Sequence, residues 1–267
     1  MIKDTEALKT LPLFADLDAQ SVERLAANSR KRVIARGQYL FMHGDDIHFF
    51  KIICRGTVHI FRETPDGHEV TSDILISGDC INADEIMSHQ KIHRTSARAV
   101  DDATVLEVPI DWMRQHLKDF DLLAPRLLQG LSERLQSAQR EAEQHTTFSA
   151  SQIVACYLQG LCVLYDFDPR GFDLPYSKTL IASRLRMELA TFSRTLPKLK
   201  SWGVTVTGNH VAFSHLNRAG EFVCDDCSIA EDCPTRLHLN QKVEKTASDV
   251  SDGTPKPGTT FKTRLTG

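Results

Sequence analysis

The chain has 267 residues and a formal net charge of −3, with 41% hydrophobic and 25% charged residues. This is the composition of a folded, soluble protein of one or two domains rather than a disordered chain. No apolar stretch approaches the ~18–20 residues of a membrane span and no secretory apolar segment opens the sequence, so a cytoplasmic protein without membrane contact is expected.

Residues 5–30 read as short helices, with Asp18 capping an amphipathic turn that carries Val22, Leu25 and Ala26 on one face. From about 31 to 108 the pattern becomes short apolar runs punctuated by glycine: 38–42, 49–54, 57–61, 70–76 and 103–108. Thr64-Pro65-Asp66-Gly67 between two of them is a hairpin-turn signal, and the whole stretch predicts an all-β barrel or roll. A short helix over 110–117 and a long one over about 122–144 follow. Leu123, Leu127, Leu131, Leu135, Ala138 and Ala142 recur along the long helix at three- and four-residue steps. Such a narrow seam suits a partner helix in a dimer, or packing on the protein's own roll.

A polar break at 145–149 predicts a hinge, with Ser149 capping a helix over 150–164. A short strand over 172–175, a helix over 177–185 and a second helix from about 189 to 202 come next. Pro197 lies inside that second helix and favours a kink, and Gly203 has the place of a helix terminator. Residues 204–213 read as a hairpin turning at Gly208-Asn209. Beyond about 241 the Ser/Thr/Lys/Gly/Pro-rich sequence is expected to be disordered. The predicted organisation is 1–118 for N-terminal helices and roll, 119–146 for the dimer helix and hinge, 147–216 for the next domain, 217–240 for a cysteine-bearing tail and 241–267 for the disordered end.

Helix, turn, helix and hairpin in this order make a winged helix-turn-helix, whose second helix enters the major groove of DNA. From Lys178 to Lys200 there are six basic residues, including Lys178 and Lys198, against one acid, Glu188. Near the start of the second helix, Arg194 can pair its planar fork with guanine O6 and N7, and Thr191 and Ser193 can take a phosphate or base edge. Phe192, Leu196 and Leu199 form the inward face.

The segment Cys224-Asp-Asp-Cys227-Ser-Ile-Ala-Glu-Asp-Cys233-Pro has C-x2-C-x5-C spacing. Soft thiolates so spaced suit an iron–sulfur cluster, with zinc as the alternative. Seven cysteines in a chain of this length are not a disulfide scaffold. Cys54, Cys80, Cys156 and Cys162 lie in apolar or strand-like context and read as small buried hydrophobes. No nucleophile–base constellation, phosphate loop or acid pair points to an enzyme.

Residues 8 to 215 resemble the Crp/Fnr family of transcription regulators. The resemblance is carried by Leu11-Pro-Leu-Phe-Ala-Asp-Leu17, Arg36-Gly-Gln-Tyr-Leu-Phe-Met-His-Gly44, Arg55-Gly-Thr-Val-His-Ile-Phe61, Gly78-Asp79, Leu174-Pro-Tyr-Ser-Lys178, Ile181-Ala-Ser-Arg-Leu185 and Phe192-Ser-Arg194. It implies an α+β architecture: a cyclic-nucleotide-binding-type β-roll, a long dimerisation helix and a winged helix-turn-helix. It also implies a homodimer on palindromic double-stranded DNA that works with RNA polymerase.

Three departures from the family pattern stand out. The Gly-Glu pair of nucleotide-binding members is replaced by Asn82 and Ala83, while Arg94-Thr95 still resembles the Arg-Ser of that effector pocket; cyclic AMP is therefore not expected. Ala190 replaces a glutamate common in the recognition helix, which alters preference at one base pair of the half-site. Finally, the family's oxygen sensor carries a similar cysteine run at its N-terminus, whereas this sequence has no cysteine before Cys54. Some relatives hold a cluster through C-terminal cysteines and a hinge residue. Cys156 ranks first as the fourth ligand here, with Cys162, Glu143 and His145 as the other options. Such a cluster would sense oxygen, nitric oxide or redox state. The alternative is haem or a small effector in the roll, with His43, His48, His59, His68, His89 and His93 as candidate haem ligands.

Overall fold

The computed structural model describes residues 8–238, without 89, 121, 169, 170, 215, 226, 232 and 234, together with Thr5. The predicted disordered end at 241–267 lies outside the described residues. Two compact units divide the chain, Met1–Ser132 and Glu133–Gly267.

In the first unit, a 3-10 turn Pro12–Phe14 precedes α1 (Ala19–Ala27). Asp18 caps α1 as expected, its carboxylate accepting from the Ser21 amide at 2.9 Å and the Ser21 hydroxyl at 2.7 Å. Eight strands follow: β1 (Arg30–Ile34), β2 (Tyr39–Phe41), β3 (Phe49–Arg55), β4 (Val58–Glu63), β5 (Glu69–Leu75), β6 (Cys80–Ile81), β7 (Ser96–Ala99) and β8 (Ala103–Pro109), with the one-turn α2 (Asp84–Met87) after β6. They form two antiparallel four-stranded sheets, ordered β1-β8-β3-β6 and β2-β7-β4-β5. This is the roll, of cyclic-nucleotide-binding type. The Thr64–Gly67 turn closes β4 onto β5, with Glu63 opposite Glu69 and Gly67 at φ 82°.

Sequence patterning missed β1, β6 and β7. Strand β1 begins Arg30-Lys31-Arg32, which no strand propensity favours. Its charge is met from the neighbouring strand, where Glu107, 1% exposed, accepts from Arg30 at 2.8 Å and lies 3.4 Å from Arg32.

Helices α3 (Ile110–His116) and α4 (Leu123–Thr147) complete the roll's surroundings. The leucine seam splits. Leu123 and Leu127 are buried in the roll's core and Leu131 packs against it, whereas Leu135 is 61% exposed. The long helix also runs three residues past its expected end. Thr146 and Thr147 hydroxyls donate back to the Glu143 carbonyl at 2.7 and 3.1 Å, so the break falls at Phe148-Ser149.

In the second unit, α5 (Ala150–Leu164) opens with a capping box between Ser149 and Gln152. Strand β9 (Phe172–Asp173), α6 (Lys178–Arg184) and α7 (Leu189–Thr195) follow, and Ser177 caps α6. The second helix of this pair is not one α-helix to residue 202. It changes at Leu196 into a 3-10 segment, Leu196–Trp202, because Pro197 has no N–H to continue the α ladder and its ring crowds the preceding turn. Gly203 ends it at φ 82°, a left-handed conformation. Strands β10 (Val204–Thr207) and β11 (His210–Phe213) form the wing and pair with β9 in the order β10-β11-β9. One further helix, α8 (Leu216–Cys224), stands where only a cysteine-bearing tail was expected.

The roll contains an acid-sensitive point. His59, 4% exposed, lies 2.8 Å from the Thr71 hydroxyl and stacks on Phe61. Burial lowers its pKa to about 4, with Arg98 adding to the effect and Glu69 opposing it. The unfolded chain therefore binds a proton that the fold refuses between pH 6.5 and about 4. Stability contributed by neutral His59 is complete above 6.5 and is lost as pH falls through that window, by no more than roughly 3 kcal/mol. Thermal unfolding followed from pH 7 to 4 should show the decline, with a shallower slope in His59→Gln.

Candidate functional site

Helix α5 presents three side chains one turn apart to the same neighbour, α8. Gln159 Nε2 donates to the Ala219 carbonyl at 2.9 Å and Gln152 Nε2 to the Phe222 carbonyl at 3.2 Å. Between them on α5 lies Cys156. Ala219 and Val223 are buried, so α8 is held by an apolar stripe and two amide clamps. Its last residue is Cys224. The chain then winds through local turns, Cys227 N donating to the Cys224 carbonyl at 3.2 Å and Ala230 N to the Cys227 carbonyl at 3.2 Å, and Leu237 N donates to the Cys233 carbonyl at 3.0 Å.

These elements put four thiols in one electrostatic neighbourhood. Burial pushes the Cys156 thiol up to about 12, and negative charge on Cys233, Cys224 and Cys227 pushes in the same direction. Burial likewise raises Cys224 to about 11, helped by Cys233, Cys227 and Asp225 and opposed by Arg236. At neutral pH Cys156 and Cys224 are therefore thiols. A thiophilic group binding here must displace their protons, and its own positive charge must offset the repulsion among the thiolates so formed. Among the described residues, no group of three or more His, Cys, Asp or Glu is gathered tightly enough for a single metal ion.

The other ligand candidates are placed differently. Cys162 is buried and its Sγ donates to the Phe167 carbonyl at 3.4 Å. Glu143 lines a small cleft, with about 10 Å³ of room for a water-sized occupant, together with Arg140, Gln144, Thr147, Phe148 and Cys227. His145 acts on Glu141. Two residues of α4 that no motif announced touch this region: Gln144 Nε2 approaches Cys156 Sγ at 3.7 Å, and Glu141 grips Arg184 of α6 through two bonds of 2.8 and 2.5 Å. Burial raises the Glu141 carboxyl, but bonding to Arg184 and the positive charge of Arg184, Arg186 and His145 carry it below its usual value.

On α7 the outward and inward faces fall as the sequence suggested. Ser193 and Arg194 are exposed, Thr191 is half-buried, and Phe192, Leu196 and Leu199 are buried. Arg194 folds along its own helix, Nε donating to the Ala190 carbonyl at 3.2 Å and Nη2 to the Thr191 hydroxyl at 3.3 Å. Lys178 opens α6, half-buried, and Lys198 is exposed on the 3-10 segment.

In the roll, Arg94 is exposed and Thr95 half-buried. Asn82 occupies a left-handed φ of 49°, as the glycine of the family pattern would, and its amide donates to Glu85 at 2.8 Å and to the Thr95 hydroxyl at 3.5 Å. Glu85 accepts from His93 at 2.7 Å, and Lys51 Nζ stands 3.4 Å from the other His93 nitrogen. This buried chain, with His93 stacked 3.7 Å from Phe41, was not anticipated. It commits His93 to Glu85, as His59 is committed to Thr71. His43, His48 and His68 are at the surface, and His89 lies outside the described residues.

Residues 31–120 match the cyclic nucleotide-binding domain family. The chain is 27% identical over 192 residues to an anaerobic regulatory protein of Haemophilus influenzae, covering 70% of this chain and 74% of that protein. It is 28% identical over 195 residues to the fumarate and nitrate reduction regulatory protein of Yersinia pestis, covering 70% and 75%. The structure of FixK2 from Bradyrhizobium japonicum superposes with a TM-score of 0.62 over 73% of this chain and 96% of that one, at 18% identity, which speaks for the fold alone. Over about 70% of its length the chain is thus similar to regulatory proteins, and within that span to the cyclic nucleotide-binding domain family. Among the described residues no helix is long and apolar enough to cross a membrane.

The Glu141–Arg184 pair is mostly shielded, with side chains 27% and 17% exposed. Arg184→Leu leaves a half-buried carboxylate unpaired and should cost about 2 kcal/mol, read as a lower urea midpoint, with Glu141→Gln in the same background restoring part of the loss.

Proposed function

We propose that this chain is a DNA-binding transcription regulator that responds to oxygen, nitric oxide or redox state through an iron–sulfur cluster held by Cys224, Cys227, Cys233 and Cys156. The observation that carries the reading is the C-x2-C-x5-C run that begins at the end of α8, a helix held by Gln152 and Gln159 on the same α5 that carries Cys156. Four cysteine thiolates, one to each iron, are the usual holder of a [4Fe-4S] cluster, and they need not converge on a single point. Bound there, the cluster supplies a redox-active centre open to attack by oxygen or nitric oxide.

The chain's own residues supply the rest. Gln144 sits against Cys156 and Glu141 holds α6, so the last turns of α4 contact both the thiol set and the first helix of the DNA-reading pair. A change in what the thiols hold alters how α5 and α8 pack, and thereby biases the placement of α6 and α7. The response requires differential affinity for two such states. Arg194, Thr191 and Ser193 read base edges, and Lys178 and Lys198 meet phosphates. The exposed half of the leucine seam, Leu135 at 61% exposure with Ala138 and Ala142 beyond it, and the neighbouring Leu128 at 69%, offer a second copy of the chain a surface for the homodimer that a palindromic site requires.

Anaerobic purification should give a brown protein with ~4 Fe per chain, bleached by air, and colourless in Cys227→Ser and Cys156→Ser but retained in Cys162→Ser. An iron-free wild type under those conditions would sink the cluster reading. On DNA, Arg194→Ala should weaken specific binding by about 1–3 kcal/mol with relaxed sequence preference, whereas Lys198→Ala should weaken all sequences alike and reduce the salt slope by about one.

A further inference from the structure

Trp202 ends the 3-10 segment that continues α7. Although 38% exposed, its ring lies on Phe222 with centroids 4.4 Å apart and planes 15° from parallel. Phe222 stands in the last turn of α8, two residues before Cys224. Its carbonyl takes the bond from Gln152, one turn ahead of Cys156 on α5. Phe222 thus meets the DNA-reading side with its ring and the cysteine side with its backbone. Trp202 is itself fixed: Gly203 N donates to the Lys200 carbonyl at 3.1 Å, and Ser214 N, beyond the wing, donates to the Gly203 carbonyl at 2.8 Å. Leu196 and Leu199, buried in the same segment, tie it to the inward face of α7. A shift of α8 at Cys224 therefore has a short, packed route to the helix that carries Arg194.

We propose that the Trp202–Phe222 stack is the positioning contact that couples the cysteine set to the recognition helix. It deepens the reading under Proposed function and rests on it for what the cysteines hold and for DNA as the ligand of α7. Coupling between two sites is reciprocal in binding free energy: if what the cysteines hold changes DNA affinity, DNA changes how tightly they hold it. The packing that would carry this coupling also governs access to Cys224, which is 8% exposed, and that allows a test without any cluster.

The reduced, metal-free full-length chain is labelled with iodoacetamide, with and without a duplex that the wild type has selected from a random pool. The labelling rate of Cys224 is followed by peptide mass spectrometry. DNA should change that rate by about five-fold or more in the wild type and in Trp202→Phe, the low end of ordinary coupling between sites, and should leave it nearly unchanged in Trp202→Ala and Phe222→Leu. A DNA effect of wild-type size in Trp202→Ala, even with weakened DNA binding, would reduce the stack to a packing contact and overturn the proposal. Absence of any effect in the wild type would overturn it as well. Iron content after anaerobic purification is read separately, so loss of the cluster reading and loss of the coupling are distinct results.

Discussion

Two buried amides hold the second unit's chemistry together. Gln152 and Gln159 project from α5 and donate to backbone carbonyls of α8. A helix of nine residues is too short to be stable by itself in water. Its packing on α5, through Ala219, Val223 and these bonds, is what gives Cys224 a fixed address beside Cys156. Removing either glutamine would take away a side-chain donor that holds α8 on α5, a loss that falls on the position of Cys224 before it falls on the fold. Cys224 is placed by bonds from α5, and Cys227 follows it through local turns.

The roll shows the same dependence in another form. Its charged groups come as connected sets: buried Glu107 with Arg30 and Arg32, buried Glu85 with His93, Lys51 and Asn82, and half-buried Glu69 with Arg98 through bonds of 2.7 and 2.6 Å. Each set joins different elements of the roll. Burial lowers Lys51 against the pull of Glu107 and Glu85, so even a lysine between two acids feels its desolvation most. Asn82, which stands in the place of a family glycine, joins one of these sets instead of leaving the backbone free for a ligand.

What could be read in the sequence was what local chemistry decides. Asp18 and Ser149 cap the helices they were expected to cap, Gly203 and Gly67 turn the chain where turns were expected, and the inward face of α7 follows from Phe192, Leu196 and Leu199. What could not be read depends on partners far along the chain. Strand β1 is legible only once Glu107 is known to lie opposite. The end of the leucine seam at Leu131 reflects where the roll's surface stops, not any change in the pattern. Helix α8 did leave a signal, in the spacing of Ala219, Phe222 and Val223, but Gly220 and the cysteine motif beside it masked the period. The importance of Gln144, Gln152, Gln159 and Trp202 had no motif to announce it.

Pro197 has a consequence for angular phase. An α-helix turns about 100° per residue and a 3-10 helix about 120°. Over the six steps from Leu196 to Trp202 the difference accumulates to about 120°. In the 3-10 form Leu196, Leu199 and Trp202 stand in one row along the segment, and the row faces the interior that Leu196 and Leu199 already occupy. Continued as an α-helix, the same residues would swing the indole a third of a turn away from Phe222. The segment would also be about 3 Å shorter, since each 3-10 residue advances about 2.0 Å against 1.5 Å. A single imino acid, three residues beyond Arg194 and itself exposed, thereby sets both the direction and the reach of the indole that joins the continuation of α7 to the helix ending at Cys224.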